Sequence, residues 1–271
     1  MPELPEIETV SRGISHLQGK QITAVIVRNG NLRYKITQTI AKDLLDKQIK
    51  QVSRRAKYII IELSRGYLIM HLGMSGTITL LDSNTKNTPL KHDHVDIIID
   101  NNIILRFNDP RRFGCVIYTE DYQKHSLFTA LGPEPLTTEF NPTYLLNRLS
   151  NKKSTIKQLI MDNNIVVGVG NIYAAEALFM AKISPLRQGE SISKIEATNL
   201  VLAIKQVLAT AIKQGGSSLR DYKHTDGSLG YFQNLHMVYD KLGKPCGICK
   251  TAIAAKRLGQ RNSFFCPNCQ K

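Results

Sequence analysis

Hydrophobic positions change rhythm twice along this chain. After "PELPE", Ile7, Val10, Ile14 and Leu17 recur at steps of three, four and three, which marks one helical face, and Gly19 supplies a stop. β-rich runs follow: "QITAVIVR", "YIIIEL", "YLIMHLGMSGTITLL", "HVDIIID", "NIILRF" and "CVIYT", several of them bounded by turn signals such as "SRG" and "DNN". Residues 20–120 therefore predict an all-β core, a sandwich, with the first helix laid against it. The stretch "LGPEPLTTEFNP" (131–142) carries three prolines and neither period, and reads as a linker. Beyond it the period turns helical, in "TYLLNRL", "STIKQLIM", "NIYAAEALFMAKI" and the long run 193–214. Residues 215–234 are a Gly/Ser-rich loop, longer than a connector needs.

Charge adds a partner to this picture. The 271 residues hold 36 Lys and Arg against 22 Asp and Glu, a formal charge of +14, which points to nucleic acid or another polyanion. A solubilising surface is the plainer reading. The distribution favours the first, because Lys241 to Lys271 carries seven basic residues and no acidic one. No run approaches the ~18 apolar residues that span a bilayer. The start is acidic, where a signal peptide is basic and then apolar. The expectation is a soluble cytoplasmic protein with no membrane partner.

Four of the five cysteines fall in the last 26 residues, as Cys246-x2-Cys249-x16-Cys266-x2-Cys269. This is the spacing of a four-cysteine zinc ribbon, in which each CxxC brings two thiolates to one tetrahedral ion. So short a segment has no core of its own, and zinc would supply much of its folding free energy. Lys256, Arg257 and Arg261 would lie on or near its hairpin, over Phe264 and Phe265. Cys115 stands apart in a strand and reads as a small buried hydrophobe.

Three further segments each have a structural and a chemical reading. In "GVGN" a glycine turn runs into a helix opened by Asn171, which is either a cap or a phosphate-ready helix start. "NDPRRFG" (108–114) is either a stiff turn or a minor-groove wedge, with Phe113 entering the stack beside Arg111 or Arg112; Met74 in "HLGMSG" raises the same choice. The opening "MPELPE" is a helix entrance that capping explains. Once Met1 is cleaved it is also a nucleophile, because more of an α-amine than of a lysine is in the free form at neutral pH. Glu3 and Glu6 could then supply acid and base.

Taken together, "PELPEIETV", "SRRAKYIIIEL", "HLGMSG", "KHDHVD", "DPRRFG", "VVGVGNIYAAEALF", "GGSSLRDY" and the tail "GQRNSFFCPNCQK" closely resemble the bacterial formamidopyrimidine-DNA glycosylase (MutM) family, in order and over nearly the whole chain. The resemblance implies an α+β multidomain fold: an N-terminal helix plus β-sandwich (1–130), a linker and start of the helical region (131–150), a helix–two-turns–helix domain (151–235) and a four-cysteine zinc finger (236–271). It implies a base-excision-repair glycosylase and AP lyase that removes oxidised purines, 8-oxoguanine and formamidopyrimidines, from damaged double-stranded DNA. The expected state is a monomer at the nucleoid with one structural zinc and no organic cofactor. Carried over by position, the nucleophile is Pro2 and the catalytic carboxylate Glu3, with Lys57, Asn171 and Arg261 at phosphates. Met74, Arg111 and Phe113 would fill the hole left by the extruded base, His92, His71 and Glu6 would border the DNA groove, and 217–224 would be the lesion loop. Two alternatives remain: an endonuclease VIII-like enzyme for oxidised pyrimidines, and a non-catalytic damaged-DNA binder of the same fold.

Overall fold

Pro2 leads into helix α1 (Leu4–Gly13), where Glu3 at the N-cap and Glu6 form a reciprocal capping pair. Leu4, Ile7 and Val10 on its inner face are at most 1% exposed. The α-helix ends at Gly13 and a tighter 3-10 turn (Ser15–Leu17) carries Leu17 onto the same face, so the apolar stripe outlasts the helix. The computed structural model describes residues 2–85, 87–217, 225 and 230–271.

Eight strands follow: β1 (Ile22–Val27), β2 (Ile49–Arg55), β3 (Tyr58–Leu63), β4 (Tyr67–His71), β5 (Thr77–Asp82), β6 (Asp93–Ile99), β7 (Ile103–Asn108) and β8 (Cys115–Thr119), with a short helix α2 (Ile40–Leu44) after β1. They form two antiparallel four-stranded sheets, ordered β1-β6-β7-β5 and β2-β3-β4-β8. Their facing residues make one core: Val95, Ile97, Leu105 and Phe107 from the first sheet meet Ile59, Ile61, Leu68 and Val116 from the second, and α1 adds Ile7 and Val10. This is the expected sandwich. Each fully buried aliphatic side chain in it contributes about 1.5–3 kcal/mol relative to exposure.

Two features depart from the sequence pattern. The run "YLIMHLGMSGTITLL" is two strands in different sheets, because a turn closed by Gly76 N–H to Leu72 O at 2.7 Å separates β4 from β5. Strand β2 ("IKQVSRR") carries no apolar alternation; as an edge strand it leaves Lys50, Gln51 and Ser53 exposed. On the β1-β6-β7 face, Asp96 accepts two bonds from Arg106 at 2.8 Å and one from Arg28 at 2.6 Å. Burial alone would raise the Asp96 carboxyl, but Arg106 and Arg28 hold it below the ordinary carboxylate range.

Among the described residues, the remaining α-helices and strands are α3 (Pro142–Leu149), α4 (Ile156–Ile160), α5 (Asn171–Met180), α6 (Lys194–Lys213) and a hairpin of β9 (Ala254–Leu258) and β10 (Arg261–Phe265). Asn141 caps α3 by accepting the Tyr144 N–H at 3.0 Å, with Pro142 in the first turn. Thr155 and Gln158 form a capping box on α4. The chain divides into two compact units, Met1–Thr129 with Gln214–Gln233, and Ala130–Lys213 with Asn234–Lys271. Among the described residues one helix, α6, is long and apolar enough to cross a membrane; its Leu200, Ile204, Leu208 and Ala211 are buried within the fold.

Candidate active site and nucleic-acid interface

In the first unit the chain start is held rather than frayed. Pro2 is buried, and Glu3 and Glu6 are each 2% exposed. Glu6 Oε2 accepts the Glu3 N–H at 2.7 Å, while Oε1 accepts the Ser217 N–H at 2.7 Å. One carboxylate thus ties the start of α1 to the foot of the 217–224 segment. Gly216 makes this possible: its φ is +80°, and a Cβ there would meet Glu6 Oε1 at 2.7 Å. Residues 218–224 lie outside the described residues.

Lys57 sits with Ala56 in the two-residue turn between β2 and β3, where Ala56 takes a φ of 53°, and it is 8% exposed. This hairpin is tied to α1 through Glu8, which accepts from Arg54 at 2.9 Å and from Arg12 at 2.8 Å. Arg54 also donates to Ala56 O at 2.9 Å. Burial would raise the Glu8 carboxyl, but the two guanidinium groups hold it below its ordinary value. The sequence reading did not anticipate this tie; an acid and an arginine 46 residues apart leave no local signal.

Met74 and Phe113 are 37% and 44% exposed, on turns that touch each other. Gly73, at φ +61°, lies so close that a Cβ would meet the Phe113 carbonyl carbon at 2.5 Å and Gly114 N at 2.6 Å. His71 supports this arrangement from below: its Nδ1 accepts the Gly73 N–H at 2.9 Å, and its ring lies 4.8 Å from that of Tyr58. Burial, with the Lys57 and Arg33 charges adding to it, pushes His71 down to about 4, so the ring is neutral at pH 7. The Arg111 guanidinium stacks over the Phe113 ring at 5.0 Å. His92 is half-buried; its carbonyl accepts the Asp109 N–H at 3.0 Å and its ring is 6.3 Å from His94. Cys115 is 1% exposed and burial pushes its thiol up to about 12, as expected of an inert core residue.

In the second unit, Gly168 (φ +79°) and Gly170 lead into α5, whose N-cap is Gly170 rather than Asn171. Asn171 is the first helical residue, and its Oδ1 accepts from Lys157 Nζ at 2.7 Å. The same ammonium donates to Ser263 Oγ at 2.9 Å and Asn262 O at 3.3 Å, tying the start of α5 to β10. Lys157 is 2% exposed, and nothing in "STIKQLI" marks it as the polar member of that pair. Arg261 is exposed at the tip of the hairpin, beside a two-residue Gly259-Gln260 turn.

The four predicted zinc ligands do meet. The sulfurs of Cys246, Cys249, Cys266 and Cys269 all lie within 4.8 Å of one another, with Cys249 to Cys266 at 3.4 Å and Cys246 to Cys269 at 4.0 Å. Four thiolates at ~2.3 Å from a tetrahedral ion stand about 3.8 Å apart, so the donor set fits zinc. Phe264 of the hairpin, with Ile253 and Val238 from the chain that leads into it, packs onto Ala175 and Phe179 of α5. Glu176 secures it by accepting the N–H groups of Met237, Val238 and Tyr239 at 2.7, 3.1 and 2.8 Å. One structural zinc held by these cysteines therefore fixes Arg261 relative to Asn171.

Comparison with known proteins agrees along the whole chain. Residues 1–116 match the formamidopyrimidine-DNA glycosylase N-terminal domain, 131–223 its H2TH domain, and 243–271 the zinc finger found in FPG and IleRS. A formamidopyrimidine-DNA glycosylase of Aliivibrio fischeri is 48% identical over 271 residues, covering 100% of this chain and 98% of the relative. That of Alteromonas mediterranea is 50% identical over 272 residues, with 100% of each chain covered. The crystal structure of MutM (FPG) from Thermus thermophilus superposes with a TM-score of 0.89 at 35% identity, covering 99% of this chain and 98% of that one. A Lactococcus lactis FPG mutant bound to Fapy-dG containing DNA gives 0.91 at 32% identity, with 100% of both covered. With its sandwich, helical domain and zinc module each matched in order, this chain belongs to the formamidopyrimidine-DNA glycosylase family.

Proposed function

We propose that Pro2 and Glu3 carry the chemistry of this DNA glycosylase and AP lyase, which removes oxidised purines from duplex DNA. The observation that carries the reading is the buried start of α1, with Glu3 and the 217 segment both held by Glu6. Once Met1 is removed, the Pro2 nitrogen is a secondary amine. Its lone pair forms a bond to the anomeric carbon of the lesion, and the glycosidic bond breaks with its electron pair leaving on the base. The attached nitrogen gives up its N–H proton to solvent, Glu3 donates a proton to the sugar ring oxygen, and as the ring opens the nitrogen lone pair forms the iminium. Loss of a proton at the adjacent carbon then expels one phosphate, and a second elimination expels the other. The damaged base must leave the stack for this attack. Met74 and Phe113 fill the gap, with Arg111 at the rim, and His71 acts through the Met74 turn. His92 sits at the groove border, while Lys57, Asn171 and Arg261 hold phosphates. The enzyme works as a monomer on damaged duplex DNA, at the nucleoid in the cytoplasm.

Borohydride trapping on an 8-oxoguanine duplex, joined to N-terminal mass analysis, tests the assignment. Met1-free protein becomes covalently linked to the DNA; Glu3→Gln lowers base release by about 100-fold or more, and Pro2→Gly does not process the lesion normally. No adduct from Met1-free protein, or a clear preference for thymine glycol over 8-oxoguanine, overturns the proposal.

A further inference from the structure

Asp109 is a fully buried acid, 0% exposed, that the chemistry above does not use. It follows β7 and opens the turn that carries Arg111 and Phe113. Its carbonyl accepts the Arg112 N–H at 3.2 Å and faces His94 Nε2 at 2.8 Å, and its own N–H donates to His92 O at 3.0 Å. The carboxylate does something different: it closes its own turn behind Phe113 and reaches across to the neighbouring Met74 turn. Oδ2 accepts the N–H of Gly114, the residue after Phe113, at 2.8 Å. Oδ1 accepts from Ser75 Oγ, the residue after Met74, at 3.4 Å.

Packing leaves the two turns no slack around this contact. A Cβ on Gly114 would meet His71 O at 2.4 Å, the Phe107 ring at 2.8 Å and Asp109 Oδ2 at 3.1 Å. Gly73 is equally tight against the Phe113 carbonyl carbon, at 2.5 Å. An exposed apolar side chain gains nothing by standing in water, so a wedge must be held out by what lies beneath it. Here that is one carboxylate placed between both turns.

We propose that Asp109 is a positioning residue that sets Met74 and Phe113 at a fixed separation, so that both enter the base stack together. The proposal rests on the wedge reading of these two side chains. It predicts a split between two activities. Excising 8-oxoguanine from a duplex needs the stack opened, whereas an abasic site in a single strand has no stack to open.

The experiment compares both activities for Asp109→Ala, Asp109→Asn and Ser75→Ala, and for Asp109→Ala added to a Met74→Ala/Phe113→Ala background. Asp109→Ala should lower duplex excision by about 10–100-fold, the scale of losing buried hydrogen bonds and about an ångström of placement. Borohydride trapping on the single-stranded abasic site should stay within about twofold. Asp109→Asn should restore excision, because its oxygen still accepts from Gly114 N–H and its amide can donate to Ser75 Oγ. Without the wedge, Asp109→Ala should cost nothing further. A 2-aminopurine next to the lesion should brighten on binding wild-type protein and less with Asp109→Ala.

Equal loss of both activities, full excision by Asp109→Ala, or additive loss in the wedge-less background overturns the proposal. Should Asp109→Ala fail to fold, Ser75→Ala removes one bond alone and must show the same split in smaller measure; no split there also overturns it. Full excision by Met74→Ala/Phe113→Ala by itself refutes the wedge reading, a separate outcome from failure of the Asp109 assignment.

Discussion

Acid should loosen this protein through His71 before it protonates the carboxylates. The ring is pushed from 6.5 down to about 4 by burial and by the Lys57 and Arg33 charges, and its Nδ1 is occupied by the Gly73 N–H. Above pH 6.5 the histidine is neutral in both folded and unfolded chains and contributes no pH dependence. As pH falls below 6.5 the unfolded chain takes up a proton that the folded one refuses, so folding stability declines until pH reaches about 4. The difference of 2.5 pH units, at about 1.36 kcal/mol each, gives at most about 3.4 kcal/mol. Asparagine is the informative replacement, because its Oδ1 stands where Nδ1 accepts the Gly73 N–H and it does not titrate. Urea unfolding of wild type and His71→Asn from pH 7 to pH 4 should show the wild type losing this extra stability over that window. The variant starts lower, since it loses the ring contact with Tyr58. His236, pushed down to about 4 chiefly by burial, has the same sign but is present in both proteins and cancels. Parallel stability curves for the two proteins between pH 6.5 and 4 would refute the reasoning.

Cys246→Ser should release zinc and unfold the β9-β10 hairpin, since these cysteines are also part of the small core against α5. DNA binding should fall below detection while thermal unfolding of the β-sandwich persists; retained affinity in a zinc-free variant would contradict this. Arg261→Ala, at an exposed hairpin tip, should shift stability by no more than about 0.5 kcal/mol. It should flatten the plot of log binding constant against log salt by about 0.9, one phosphate's worth; an unchanged slope would remove Arg261 from the interface.

Much of this protein was legible one segment at a time. The zinc site is written in cysteine spacing, because two CxxC knuckles constrain their sulfurs locally whatever the rest of the chain does. The α1 stripe, most of the strands and the four helical runs beyond the linker follow from periodicity, since burial of one face selects it. What the tertiary structure alone decided are the ties between segments. Strand β2 exists because β3 pairs with it, and the 67–82 run breaks because its halves join different sheets. Asn171 was legible as a helix start, but its engagement by Lys157 and the link onward to Ser263 were not. Glu8 and Arg54, Glu6 and Ser217, and Asp109 with Ser75 are likewise pairs that folding creates. A sequence records which groups can donate and accept; which of them meet depends on chain segments tens to hundreds of residues apart, brought together by burial of a core they share.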